Sequence, residues 1–279
     1  MTALPPAAID HVVVNARDGL EAAVHAYRRL GFSLTPLSRH TLGSMNQLAT
    51  FAADYLELVG IDPDAAVKRT ELLATPAGLD GLVFATEDAD GVHRALVAAK
   101  LPVEDPFAFS RPISLADGSA DVRFRVTRLK SAATPYGRVY FCQHVTRPLV
   151  WRDEWRGHAN GAVGVVRMVI AAEEPDKLAG LYRAMFGSDA VRAIAGGFSL
   201  VAGLARVDLL APPALAAEFG AAAPDAQGRS AYMAALTLRT LGLERALRAL
   251  DGIAGLHTHG ARILVPASEA CGCALEFIE

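Results

Sequence analysis

The chain has 279 residues, 52% of them hydrophobic and 20% charged, with a formal net charge of −3. That length gives one large or two medium domains and a sizeable core. The mild acidity argues against a nucleic-acid partner, which needs a basic patch, and no run of about eighteen apolar residues marks a membrane span. The opening Met1-Thr2-Ala3-Leu4-Pro5-Pro6 lacks the basic and long apolar regions of a signal peptide. Cys142, Cys271 and Cys273 make no disulfide framework, so a reducing cytoplasm is the expected setting.

In chain order, Ile9-Asp10-His11-Val12-Val13-Val14 reads as a strand. A helix over residues 20–30 follows, with Asp18 as its expected N-cap and Gly31 as its C-cap. Residues 32–35 are expected to be a short strand and residues 38–46 a polar loop, with strands over 47–52 and 55–59. The unit is therefore βαβββ. Side chains alternate across a strand, so His11 shares a face with Ile9 and Val13, and Glu57 with Tyr55 and Val59. Each strand thereby carries one metal-competent group among apolar neighbours, an arrangement that is costly unless the polar groups meet each other, a metal or a ligand.

The unit then repeats. Residues 79–88 align without gaps on 9–18, which places Gly81 where His11 stood. A helix over 90–100 and strands over 106–113, 121–129 and 138–145 complete the second copy. Tyr140, Cys142 and His144 share a face there, and His144 falls close to the Glu57 position. A Trp-bearing link over 147–161 separates two expected halves, 1–150 and 160–279. In the second half a third unit sets Arg167 and Asp208 at the His11 and Glu57 positions. Residues 214–228 read as an Ala-rich connector. A fourth unit sets Ala234 or Ala235 and then Glu276 at the same two positions.

Four βαβββ units with His on a first strand and Glu on a last strand resemble the vicinal oxygen chelate superfamily, in its glyoxalase-like branch. The resemblance is carried by Ile9-Asp10-His11-Val12-Val13-Val14, Leu30-Gly31-Phe32, Arg39-His40 with Gly43 and Asn46, Tyr55-Leu56-Glu57-Leu58, and Gln143-His144 leading into Leu149-Val150-Trp151-Arg152. It implies an α+β fold in which each pair of units curls a sheet into a cup, with metal ligands projecting from first and last strands. Carried over, the N-terminal cup offers His11, Glu57 and His144, with Gly81 vacating the fourth corner. A one-residue slip would turn Gln143 inward instead of His144. Such a set suits one divalent Fe, Mn, Zn, Ni or Co ion. The C-terminal cup departs from the pattern, because Arg167 is better placed to pair with Asp208 or Glu276 than to sit beside a cation.

Each candidate has a plainer alternative. His11 could be a core histidine satisfied by a carbonyl. His40 and Asn46 could contact substrate or move a proton, or could merely hold their loop. Arg111 and Arg123 could clamp a substrate carboxylate, or could belong to a solvated face, with Arg125, around residues 116–118. His257 and His259 read as a surface pair. The expected function is a metal-dependent enzyme acting on a small molecule with adjacent oxygens, either an isomerase or lyase or an extradiol-type dioxygenase. The alternative is a metal-free small-molecule binding protein, and either could form a homodimer.

Overall fold

The computed structural model describes residues 4–115 and 118–279. Its first unit is β1 (Ile9–Asn15), α1 (Leu20–Arg29), β2 (Ser38–Arg39), β3 (Ser44–Thr50) and β4 (Tyr55–Ile61). The second is β5 (Gly78–Ala85), α2 (Ala89–Ala98), β6 (Phe107–Leu115), β7 (Gly118–Arg128) and β8 (Arg138–His144). The third is β9 (Ala162–Ala172), α3 (Pro175–Phe186), β10 (Val191–Ile194), β11 (Gly197–Ala202) and β12 (Ala205–Leu210), followed by α4 (Pro212–Phe219). The fourth is β13 (Ala231–Thr240), α5 (Leu243–Ala249), β14 (His257–His259), β15 (Arg262–Val265) and β16 (Ala274–Ile278).

The four βαβββ units form two eight-stranded sheets, ordered β2-β3-β4-β1-β5-β8-β7-β6 and β10-β11-β12-β9-β13-β16-β15-β14. The first and last strands of a unit pair in parallel, and the two units of a sheet meet antiparallel through β1–β5 and β9–β13. In the first sheet the two ends also meet: Thr41 N donates to Ser110 O at 3.1 Å, and Ser38 Oγ to Pro112 O at 3.0 Å. These bonds draw β2 against β6 and nearly close the sheet on itself.

One core joins the convex faces of both sheets to α1, α2, α3 and α5. Phe84 of the first half packs on Phe186 of the second at 4.8 Å between ring centroids, and Tyr136 donates to Tyr182 at 3.1 Å. Val165 N donates across the joint to Asp54 Oδ1 at 3.0 Å. Two separate clusters line the concave faces, one in each cup. Among the described residues, no helix is long and apolar enough to cross a membrane.

Several local expectations are corrected. Residues 32–35 form no strand, because Ser33 N donates to the His158 ring instead of a ladder partner. The second strand is Ser38–Arg39, inside the expected loop, and it hairpins onto β3 through a turn that needs Gly43. Gly43 has φ +84, and a Cβ there would meet Val67 O at 1.8 Å. Asp18 does not cap α1; its N-cap is Gly19, without a side-chain bond. The connector over 214–228 contains most of α4, whose Leu215 and Phe219 plug the second cup.

Candidate functional site

Strand parity sends His11, Glu57, Tyr55 and Tyr140 into the first cup, where they line a small cavity of about 40 Å³ with His40, Asn46, Arg69, Phe109, Arg111, Phe124 and Arg138. It continues into an outer cleft of about 280 Å³, walled by Leu42, Val67, Phe107, Phe109 and Tyr140.

His11 is held from behind by a residue that sequence reasoning missed. Asp10 Oδ1 accepts from His11 Nδ1 at 2.6 Å. Neighbours in a regular strand point to opposite faces, but the β1–β5 register shifts between Ile9 and His11. That β-bulge lets consecutive side chains meet on one side. His144 Nε2 donates to the same Asp10 oxygen at 2.9 Å. Burial opposes the charge on Asp10, but the His144 and His11 imidazoles outweigh it and hold the carboxyl well below its usual range. Trp151 packs edge-on to His144 at 4.8 Å and, with Phe124 and Tyr55, encloses it.

With Nδ1 committed to Asp10, the other nitrogen of His11 faces the cavity. Nε2 lies 3.8 Å from Glu57 Oε2 and 3.3 Å from the Tyr140 hydroxyl. Asn46 Nδ2 donates to Glu57 Oε1 at 2.6 Å. His40 Nε2 stands 3.8 Å from that same oxygen, while its Nδ1 is 2.8 Å from Ser44 Oγ. Burial, reinforced by Arg111 and Arg69, pushes the His40 pKa down to about 4 against the pull of Glu57, so the ring is neutral at pH 7. Burial raises Glu57, but His40, His11 and the Asn46 amide outweigh it and keep the carboxyl below its usual range.

The expected positions meet the structure unevenly. His11 and Glu57 converge, and His40 and Asn46 both reach Glu57. His144 points inward but does not occupy the Glu57 position. Val13 pairs with Glu57 as Val83 pairs with Tyr140, so Tyr140 is the counterpart of Glu57 in the second unit. Gly81 leaves no empty corner: it lies opposite Val13, whose Cβ would stand 2.7 Å from a Cβ at Gly81. Arg111 enters the cup. Arg123 does not; it is exposed on the outer face, because Val122, Phe124 and Val126 supply the inner one. Ala116 and Asp117 beside it lie outside the described residues.

A carboxylate–imidazole pair is a recognised support for a metal ligand, fixing the tautomer and leaving the second nitrogen's lone pair free. Two donors each about 2.1 Å from one cation lie at most about 4.2 Å apart, and the 3.8 Å between His11 Nε2 and Glu57 Oε2 falls within that span. Those two donors therefore fit a shared cation. Asp10, His11 and His144 also bring one ligand-competent atom each within 4.8 Å of one another, but there Asp10 is already the acceptor for both rings.

The second cup is built differently. Arg167 Nε donates to Asp208 Oδ2 at 2.5 Å, and its terminal nitrogens form a fork on Glu218 of α4. Glu276, expected to join Arg167, is held by Arg262 and by Thr237 Oγ1 at 2.5 Å. Ala235 takes the His11 position of the fourth unit, two residues before the Thr237 that pairs with Glu276, as His11 stands two before the Val13 that pairs with Glu57. Thr237 lies opposite Arg167 across the seam.

Paired βαβββ units curled around a buried imidazole–carboxylate cup define a protein of the vicinal oxygen chelate superfamily. Within it, the glyoxalase-like domain family matches residues 9–186, and the chain belongs to that family. No curated protein matches the chain. Solved structures of similar fold include a hypothetical protein from Staphylococcus aureus, with TM-score 0.65 and 11% identity over 96% of this chain and 98% of that one. A mutant of 4-hydroxymandelate synthase from Streptomyces coelicolor aligns with TM-score 0.60 and 13% identity over 99% and 93%. A xylose isomerase-like TIM barrel/4-hydroxyphenylpyruvate dioxygenase fusion protein aligns with TM-score 0.59 and 11% identity over 99% of this chain and 49% of that one.

Proposed function

We propose that the N-terminal cup is the active site of a metal-dependent enzyme acting on a small molecule with adjacent oxygens, and that His11 and Glu57 hold one divalent first-row ion. The observation that carries this reading is the His11 ring, pinned at Nδ1 by buried Asp10 and presenting Nε2 3.8 Å from Glu57 inside the inner cavity. When bound, the metal supplies Lewis acidity toward substrate oxygens.

The chain's own groups do the rest. Asp10 fixes the His11 tautomer and is itself braced by His144. Asn46 orients Glu57 through its amide. Neutral His40 is placed to accept or give a proton at Nε2, on the side of Glu57 away from its Ser44 contact. Phe109, Phe124 and Tyr55 exclude water around these groups. Isomerase or lyase chemistry and extradiol-type oxygen insertion both suit this donor set.

The rival reading, a metal-free binding protein, draws on one observation: Glu57 already has Asn46 as a donor and Arg111 and Arg138 as nearby positive charge. Metal analysis separates the two. The expected result is one equivalent of a first-row metal in the purified or reloaded protein, lost in both His11→Ala and Glu57→Gln. Wild-type protein that takes up no metal on reloading would establish the binding protein instead.

A further inference from the structure

Among the described residues, one charged side chain in the N-terminal cup has no carboxylate within ion-pair distance. Arg111 is 2% exposed, and its only hydrogen bond among the described residues runs from Nη1 to Ser38 Oγ at 2.9 Å. Its Nε is buried without an acceptor. Glu57, the carboxylate sharing its cavity, makes its ion-pair-range contacts with His11 and His40 instead. The neighbouring arginines are matched: Arg69 to Glu71 at 2.8 Å, Arg138 to Asp80 at 3.1 Å and Arg128 to Glu104 at 2.8 Å.

A desolvated guanidinium without a carboxylate is costly to keep, and its fork of donors matches a planar oxyanion. We infer that Arg111 is the anion-recognition residue of this cup and that the substrate is a small carboxylate with an apolar, aryl-sized body. Size and charge select that class. The inner cavity of about 40 Å³ has room for roughly two or three water-sized groups, which suits the two oxygens of a carboxylate. A phosphate would bring a second negative charge toward Glu57, with one unpaired guanidinium to meet it. The outer cleft of about 280 Å³, with Phe107, Phe109, Leu42 and Val67 on its walls, takes the apolar body. Phe124, whose ring centroid is 5.9 Å from the guanidinium, keeps the contact dry. The inference rests on the N-terminal cup being the ligand site proposed above, and not on its metal.

The test is calorimetric titration of wild-type protein, stripped of metal, with phenylacetate, phenylacetamide and phenyl phosphate. Phenylacetate should bind at least about tenfold more tightly than either other probe. Arg111→Met, checked for folding by thermal melting, should lose that preference, and Arg111→Lys should recover part of it. Because the titration uses protein stripped of metal, its outcome does not depend on metal uptake, which separates failure of the metal reading from failure of this one. Equal binding of acid and amide by wild-type protein, tighter binding of phenyl phosphate, no binding of any probe, or a preference that survives in Arg111→Met would each overturn the assignment. The wild-type arm stands even where the methionine variant does not fold.

Discussion

The two cups are built from the same repeated unit and solve the same problem in opposite ways. In the first, the sheet ends meet through β2 and β6, the interior stays hollow, and polar groups are left facing a cavity. In the second, α4 packs Leu215 and Phe219 into the concave face, and the open cleft of about 580 Å³ that remains is walled by ion-paired groups, with Glu218 joining Asp208 in neutralising Arg167. A buried polar cluster whose members satisfy each other is a structural element. One that holds His11 Nε2 only by a 3.3 Å contact to the Tyr140 hydroxyl and leaves Arg111 Nε without an acceptor has donor and acceptor capacity to offer a ligand. On the proposed reading, duplication produced one site and one brace on a shared core.

The sharpest way to break this contrast is His11→Ala, which should abolish metal binding while Arg167→Leu retains it, read by metal content per chain. The reverse assignment would put the site in the wrong half. Next in size, Arg167→Leu should destabilise the protein by about 3–5 kcal/mol, the usual cost of orphaning a buried ion pair, seen as a lower denaturant midpoint. An unchanged midpoint would mean that the second cup is not a brace.

The joint between the cups can be probed through Asp54, whose carboxyl burial raises to about 7 against the Val165 N–H bond. Because the folded pKa lies above the ordinary carboxyl value of 3.8, the proton-linked stability is fully present below about pH 4 and is lost as pH climbs through 7. Asp54→Asn keeps an acceptor for Val165 and removes the charge. It should match wild type near pH 4 and exceed it at pH 8, by up to a few kcal/mol; parallel stability curves would refute the linkage. A smaller change is expected from Asp10→Asn, which leaves His11 in place but weakens its orientation. Metal affinity should fall about 10–100-fold, and affinity equal to wild type would show that Asp10 does not support the site. Arg123→Ala, on the outer face, should change neither metal nor carboxylate binding, and a loss of either would put that face back into the site.

Period-two alternation is a local property, so the sequence alone determined that His11 and Glu57 face inward and that four βαβββ units follow one another. Chemistry alone was enough to see that Arg167 could not stand in for an imidazole. What lay beyond it depended on pairing between strands. Asp10 has the wrong parity for the cup, and only the bulge against β5 turns it toward His11. Tyr140 rather than His144 answers Glu57, because the β5–β8 register is set by packing of two sheets' worth of side chains and not by spacing along β8. Arg111 and Arg123 both sit on alternating strands, and which face of each hairpin strand turns inward follows from where Phe124 and Val122 find an apolar surface. The helix α4 was hidden in an Ala- and Pro-rich stretch, since nothing local distinguishes a linker from a plug until a concave face is there to receive Leu215 and Phe219. Strand propensity and parity act within a few residues, whereas register, bulges and cavity filling are decided by partners far away in the chain, and the ligand site is made of those.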